Sequence, residues 1–252
     1  MEKSDLGELE QAMTEEEWLG NPTNVGGIRS MLHAAWARSK RRKCRLFAVA
    51  CCRLIDPPIP DPRCQSAIEV AEQHADGLVT DAELAAAAAA ATAAVRERFD
   101  NPAIIAEADL LAAGSVGHAA ALQRVPYRSG MELATHHVVE PHPYQAAIRV
   151  CAAVLNPLTQ YRGPALPRQA DLLRDIFGNP FRPVTIFSSW LSSTVFTLAQ
   201  GIYSEKAFDR LPVRADALKD AGCDSDDILN HFRQPGEHCR GCWALDLVLA
   251  KR

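Results

Sequence analysis

Apolar residues recur at helical spacing along most of the chain, and nowhere do they alternate strictly over the length of a strand. Thr14 with Glu17 has the spacing of a capping box, which predicts a short helix ending near Gly20–Asn21–Pro22. A helix over 25–38 follows, carrying Ile28, Met31, Leu32, Ala35 and Trp36. In the next, over 43–55, Cys44, Phe47, Ala48, Cys51, Leu54 and Ile55 fall on one apolar face. Pro57–Pro58 stops it, because consecutive prolines cannot continue the hydrogen-bond ladder. Ala67, Ile68, Ala71 and Ala75 repeat the pattern over 64–76, with Gly77 as its C-terminal stop. Thr80 and Glu83 form a second capping box, opening an alanine-rich helix that reaches Phe99. Pro102 sits where the first turn of a further helix, over 101–122, would begin.

Periodicity then weakens. Pro126, Gly130, Pro141 and Pro143 punctuate residues 124–143, which read as a long connection. Beyond it the spacing predicts helices over 144–155, 167–177 and 189–204, then shorter ones over 205–210, 212–221, 225–233 and 240–250. The expected fold is all-α, a multi-helix orthogonal bundle. Its expected plan is a loosely held, disordered acidic extension over 1–12, a helical subdomain over 13–123, the 124–143 connecting loop, and a second subdomain over 144–252.

Composition narrows the function classes. With 48% hydrophobic and 23% charged residues, the chain is of ordinary globular type. A net charge of −4 leaves no whole-protein electrostatic grip on nucleic acid, so such binding would need a local patch. No apolar stretch is long enough to span a bilayer, and no membrane partner is expected. The opening Met1–Glu2–Lys3–Ser4–Asp5 is not a secretory signal, and the eight cysteines read as reduced thiols, so a cytoplasmic location is expected.

The C-terminal stretch is richest in candidate chemistry. Cys223, His231, His238 and Cys242 are thiol and imidazole donors of the types that tetrahedral zinc takes, and Cys239 with Cys242 has a zinc-knuckle spacing. The favoured reading is structural: Cys223 and Cys242 face a core, the histidines satisfy helix ends, and no cofactor is bound, with zinc as the alternative. Arg38, Lys40, Arg41, Arg42, Lys43 and Arg45 form a second candidate, a patch for a polyanion or an acidic partner. They straddle a helix junction where cations are also favoured for structural reasons, and no aromatic residue interleaves them as a stacking surface. His136, His137 and His142, with Glu132 and Glu140, read as an exposed loop. Asp224, Asp226 and Asp227 read as the acidic first turn of a helix, not a calcium loop. The common dinucleotide, phosphate-loop and nucleophile-elbow signatures are absent.

Several blocks have a familiar wording. They are Asp175–Ile176–Phe177–Gly178–Asn179–Pro180–Phe181–Arg182–Pro183, Ala221–Gly222–Cys223, Asp227–Ile228–Leu229–Asn230–His231 and Arg240–Gly241–Cys242–Trp243. Near the start, Thr14–Glu15–Glu16–Glu17–Trp18, Arg45–Leu46–Phe47–Ala48 and Cys51–Cys52–Arg53 belong with them. Over residues 13–80 and 168–252 the chain resembles a bacterial family of helical proteins without an assigned activity. The resemblance implies a companion module that acts beside larger signalling or interaction proteins. It also implies that any ligand set comprises Cys223, His231, His238 and Cys242, since an aliphatic residue is usual in that family at the position of Cys239. The resulting expectation is a non-catalytic, adaptor-like interaction or regulatory module with a protein partner. A zinc-stabilised protein or metal-dependent enzyme, and a nucleic-acid-associated factor using residues 38–45, are the alternatives.

Overall fold

Both capping boxes close as the sequence predicts. In the computed structural model the Thr14 amide donates to the Glu17 carboxylate at 2.8 Å, and the Glu17 amide donates to the Thr14 hydroxyl at 3.2 Å. Thr80 and Glu83 repeat the exchange at 2.7 and 3.3 Å. The structure describes residues 13–36, 41–54, 61–99, 134, 137–154 and 162–251.

Eleven α-helices and no strand occur among these residues. They are α1 (Glu15–Leu19), α2 (Val25–Trp36), α3 (Arg41–Arg53), α4 (Pro62–Ala75), α5 (Asp81–Phe99), α6 (Pro143–Val154), α7 (Arg162–Phe177), α8 (Ser193–Glu205), α9 (Leu211–Asp220), α10 (Asp226–Arg233) and α11 (Trp243–Val248). Single 3-10 turns over Ser188–Trp190 and Phe208–Arg210 flank α8. The fold is all-α. The helix expected over 101–122 lies outside the described residues, as does the acidic extension over 1–12. Between 240 and 250 the helix starts late, at Trp243. Residues 239–242 make a turn instead, in which Gly241 takes φ +96° and the Cys242 amide donates to the Cys239 carbonyl at 3.0 Å.

The sequence gives α3 one apolar face, but nine consecutive residues, Cys44 to Cys52, are buried. The helix lies inside the molecule, with α4, α6 and α7 packed around it. Alanine and cysteine on those neighbours, including Ala67, Ala71, Ala146, Ala147 and Cys151, allow close approach.

Two hydrophobic clusters result. One gathers side chains from Trp18 to Ile176 around α3, and the other gathers Trp190 to Val248 from α8 to α11. They divide between Ile176 and Trp190, not at the 124–143 connection. The cause is that α6 and α7 pack against α3 and so join the first cluster.

A seam of buried charge joins the two. Arg42, at the start of α3, donates to Asp76 at 3.0 Å, to Asp246 of α11 at 2.6 Å and to the Tyr203 hydroxyl of α8 at 2.7 Å. Lys206 adds a contact to Glu72 at 2.7 Å, and the Arg240 guanidinium stacks 4.8 Å from the Tyr203 ring centre.

Candidate metal centre

Asp175 points inward from the last turn of α7, where it is 4% exposed. The helix stops at Gly178, whose φ of +70° permits the sharp exit. A side chain at Gly178 would meet the Trp243 ring at 3.1 Å, so this glycine also seats α11 against the end of α7. His231 occupies the last turn of α10, and His238 and Cys242 come from the segment that links α10 to α11.

These four residues converge. One ligand atom from each of Asp175, His231, His238 and Cys242 lies within 4.8 Å of every other. Asp175 Oδ1 is 2.6 Å from His238 Nδ1 and 3.3 Å from His231 Nε2, which is itself 3.1 Å from Cys242 Sγ. Zinc with nitrogen and sulfur ligands at their usual bond lengths has tetrahedral edges of about 3.3–3.6 Å. Three of the six donor–donor spacings lie at or inside that edge, and the widest reaches 4.8 Å, so a bound ion would draw the outlying donor in. A buried Asp/His/His/Cys group of this kind can hold a metal ion.

The surroundings orient the donors. Asp175 Oδ2 accepts from the Cys239 amide at 3.0 Å and from the Cys239 thiol at 3.4 Å, which fixes the carboxylate plane. His231 Nδ1 lies 3.2 Å from the Gln234 carboxamide. A metal on Nε2 places the ring proton on Nδ1, and a flipped Gln234 amide then accepts it. His238 Nε2 is buried and has no hydrogen-bond partner.

The electrostatics of the metal-free centre differ between its donors. Burial alone would push the Asp175 carboxyl up, but the contacts from His231 and His238 hold it at about 2, so it is present as an anion. Burial and the nearby Asp175 push the Cys242 thiol well up, while the amides of Leu245 and Ala244 act in the opposite direction. A bound cation reverses the first two effects, because a coordinating thiol gives up its proton. Arg214 of α9 is fully buried over the Phe232 ring at 5.2 Å, and none of its three side-chain nitrogens has a hydrogen-bond partner. Burial lowers it to about 10, and Cys242 is the group that acts to raise it. A thiolate at Cys242 would in turn stabilise this buried guanidinium.

Three of the four donors expected from the sequence are therefore together, and the fourth is elsewhere. Cys223 closes a Schellman turn after α9. Gly222 takes φ +89°, the Gly222 amide donates to the Lys219 carbonyl at 2.9 Å, and the Cys223 amide donates to the Leu218 carbonyl at 3.0 Å. Its thiol packs in the second hydrophobic cluster. Asp175 takes the fourth place. The available signal was its position inside the Asp175–Pro183 block, one turn before a helix stop.

The basic run does not form an external patch among the described residues. Arg38 and Lys40 lie outside them, and Arg41 is exposed. Arg42 is held in the carboxylate seam. Lys43 donates to the Ile176 carbonyl at 2.6 Å, and Arg45, 1% exposed, donates to the carbonyls of Val138 at 2.9 Å and Glu140 at 2.8 Å. A helix turns about 100° per residue, so consecutive cations point in different directions, and here three point inward. Of the 136–142 histidines, His136 lies outside the described residues with Glu132. His137 pairs locally with Glu140 at 2.8 Å, and the His142 ring sits 6.1 Å from that of Trp36.

A cleft of about 730 Å³ opens beside the centre. Asp175, His231 and His238 line it, together with Trp18, Lys43 and Trp243. No helix is long and apolar enough to cross a membrane among the described residues. No protein-family model, curated protein or solved structure matches the chain.

Proposed function

We propose that the chain is a zinc-stapled helical interaction module. The metal, held by Asp175, His231, His238 and Cys242, ties α10 and α11 to the end of α7. The observation that carries this reading is the convergence of four donors of zinc-binding type from three chain segments onto one buried point. Four protein ligands complete a tetrahedral shell, as in structural zinc sites, whereas a catalytic zinc keeps one position for water or substrate. That stoichiometry, with the missing catalytic signatures, favours a binding role alongside a protein partner. The nucleic-acid reading draws little support, because Arg42, Lys43 and Arg45 are engaged with internal acceptors.

Elemental analysis of untagged protein grown in zinc-supplemented medium tests this. One zinc per chain is expected, with Asp175→Ala, His231→Ala and Cys242→Ala each losing most of it and Cys223→Ala retaining it. Protein that binds no zinc, and whose melting temperature ignores a chelator, ends the proposal.

A further inference from the structure

We infer that Cys239 and Cys242 form a redox-modification site that ejects the metal when the two thiols are joined as a disulfide. This rests on the zinc reading above. Cys242 is a ligand, whereas Cys239 is not; its thiol instead donates to Asp175 at 3.4 Å. All eight cysteines are free, and Cys239 alone among them is partly exposed to solvent. Cys239 is therefore the cysteine residue nearest solvent, although its thiol packs against the first cluster and Asp175.

The backbone keeps the two residues close. The 3.0 Å hydrogen bond from the Cys242 amide to the Cys239 carbonyl closes a β-turn over residues 239–242. Such turns keep the outer Cα atoms within about 7 Å, and disulfides span Cα separations of about 4.4–6.8 Å. Gly241, at φ +96°, sets the turn, and a side chain there would lie 2.9 Å from Leu46 Cδ1. The turn is thus held against the first hydrophobic cluster.

The reaction needs a two-electron oxidant, here a low-molecular-weight disulfide RSSR. Cys239 loses its proton and attacks one sulfur of RSSR, giving a Cys239–S–S–R mixed disulfide and releasing RS⁻. The Cys242 thiolate then leaves the metal and attacks the Cys239 sulfur, which expels the second RS⁻. The Cys239 proton and one proton from water convert both leaving groups to RSH. The two electrons that reduce RSSR come from the cysteine pair, and the zinc is left with three ligands and one fewer anionic charge. Its grip is lost.

The test uses the full chain, loaded with zinc and treated with glutathione disulfide. A chromophoric chelator follows free zinc, and peptide mass spectrometry locates the disulfide. Zinc content before oxidation is measured first: a metal-free chain overturns the zinc reading and this inference with it. With zinc present, the expected result is one zinc released per Cys239–Cys242 disulfide. Release from Cys239→Ser, normalised to its own starting zinc, should be slower by about tenfold or more. Equal release from Cys239→Ser, or a disulfide joining other cysteines, overturns the redox site and leaves the zinc reading intact. Restoring zinc occupancy with a thiol reductant completes the cycle, and failure to restore it with the disulfide fully reduced also counts against the inference.

Discussion

The two hydrophobic clusters are stabilised in different ways. Around α3, large and small apolar side chains from six other helices enclose a helix buried over nine consecutive residues, Arg45 among them. The cluster built by α8 to α11 is smaller and has the four-donor centre at its edge. A unit of this size has a smaller core to draw on, and small units commonly rely on disulfides or metals. On the zinc reading proposed above, packing suffices in the first region and coordination would add to packing in the second.

Metal removal should separate the regions most sharply. Chelation is expected to lower the melting transition of the second region by on the order of 10 °C or more. Hydrogen exchange should then rise over residues 226–248 and stay unchanged in α3 and α6. Uniform exchange across both regions would erase the distinction. Phe47→Ala makes the converse cut: a loss of about 3–5 kcal/mol from denaturant titration, with zinc content unaltered. Gly241→Ala should cost about 1–3 kcal/mol, because it combines a positive φ with a close approach to Leu46, and it should weaken zinc binding by displacing the 239–242 turn. Arg214→Met removes a buried cation that has no acceptor. The chelated protein should therefore be as stable as the parent or gain about 1 kcal/mol, while zinc affinity falls about tenfold with the loss of a positive neighbour to Cys242.

The smallest expected effect concerns the seam. Burial pushes the Glu72 carboxyl up, but Arg53 and Lys206 outweigh it and leave the group below its usual range. A carboxyl depressed in the folded state stabilises above its unfolded pKa, about 4.3. That contribution is lost as pH falls through the lower folded value. Glu72→Gln should therefore flatten the acid limb of the stability profile, visible as a shallower loss of melting temperature below about pH 4. An unchanged profile would mean that Arg53 and Lys206 do not lower this carboxyl in the folded chain.

What the sequence revealed divides along the same physical lines. The Thr14–Glu17 and Thr80–Glu83 caps were legible because they are local exchanges within four residues. The all-α class was legible because helical periodicity persists. The burial of α3 on every side was not, since a one-face pattern does not reveal how many neighbours a helix will have. Cys223 and Cys242 look alike as letters, and only the Schellman turn after α9 separates the packing thiol from the one at the centre. Asp175 lies far upstream of its partners, and no spacing rule links it to them. The basic run misled for a related reason: six nearby cations suggest a surface, yet Arg42 and Arg45 reach partners that lie 34–204 positions away in the chain.

Arg42 has a practical consequence for dissecting this protein. A fragment ending before Trp190 would strip away Tyr203 and Asp246, leaving a guanidinium fitted for three partners with Asp76 alone. It would also uncover Leu46, which Gly241 now covers. Such a fragment should be sticky and poorly soluble, whereas a boundary placed within residues 1–12 leaves every one of these contacts in place.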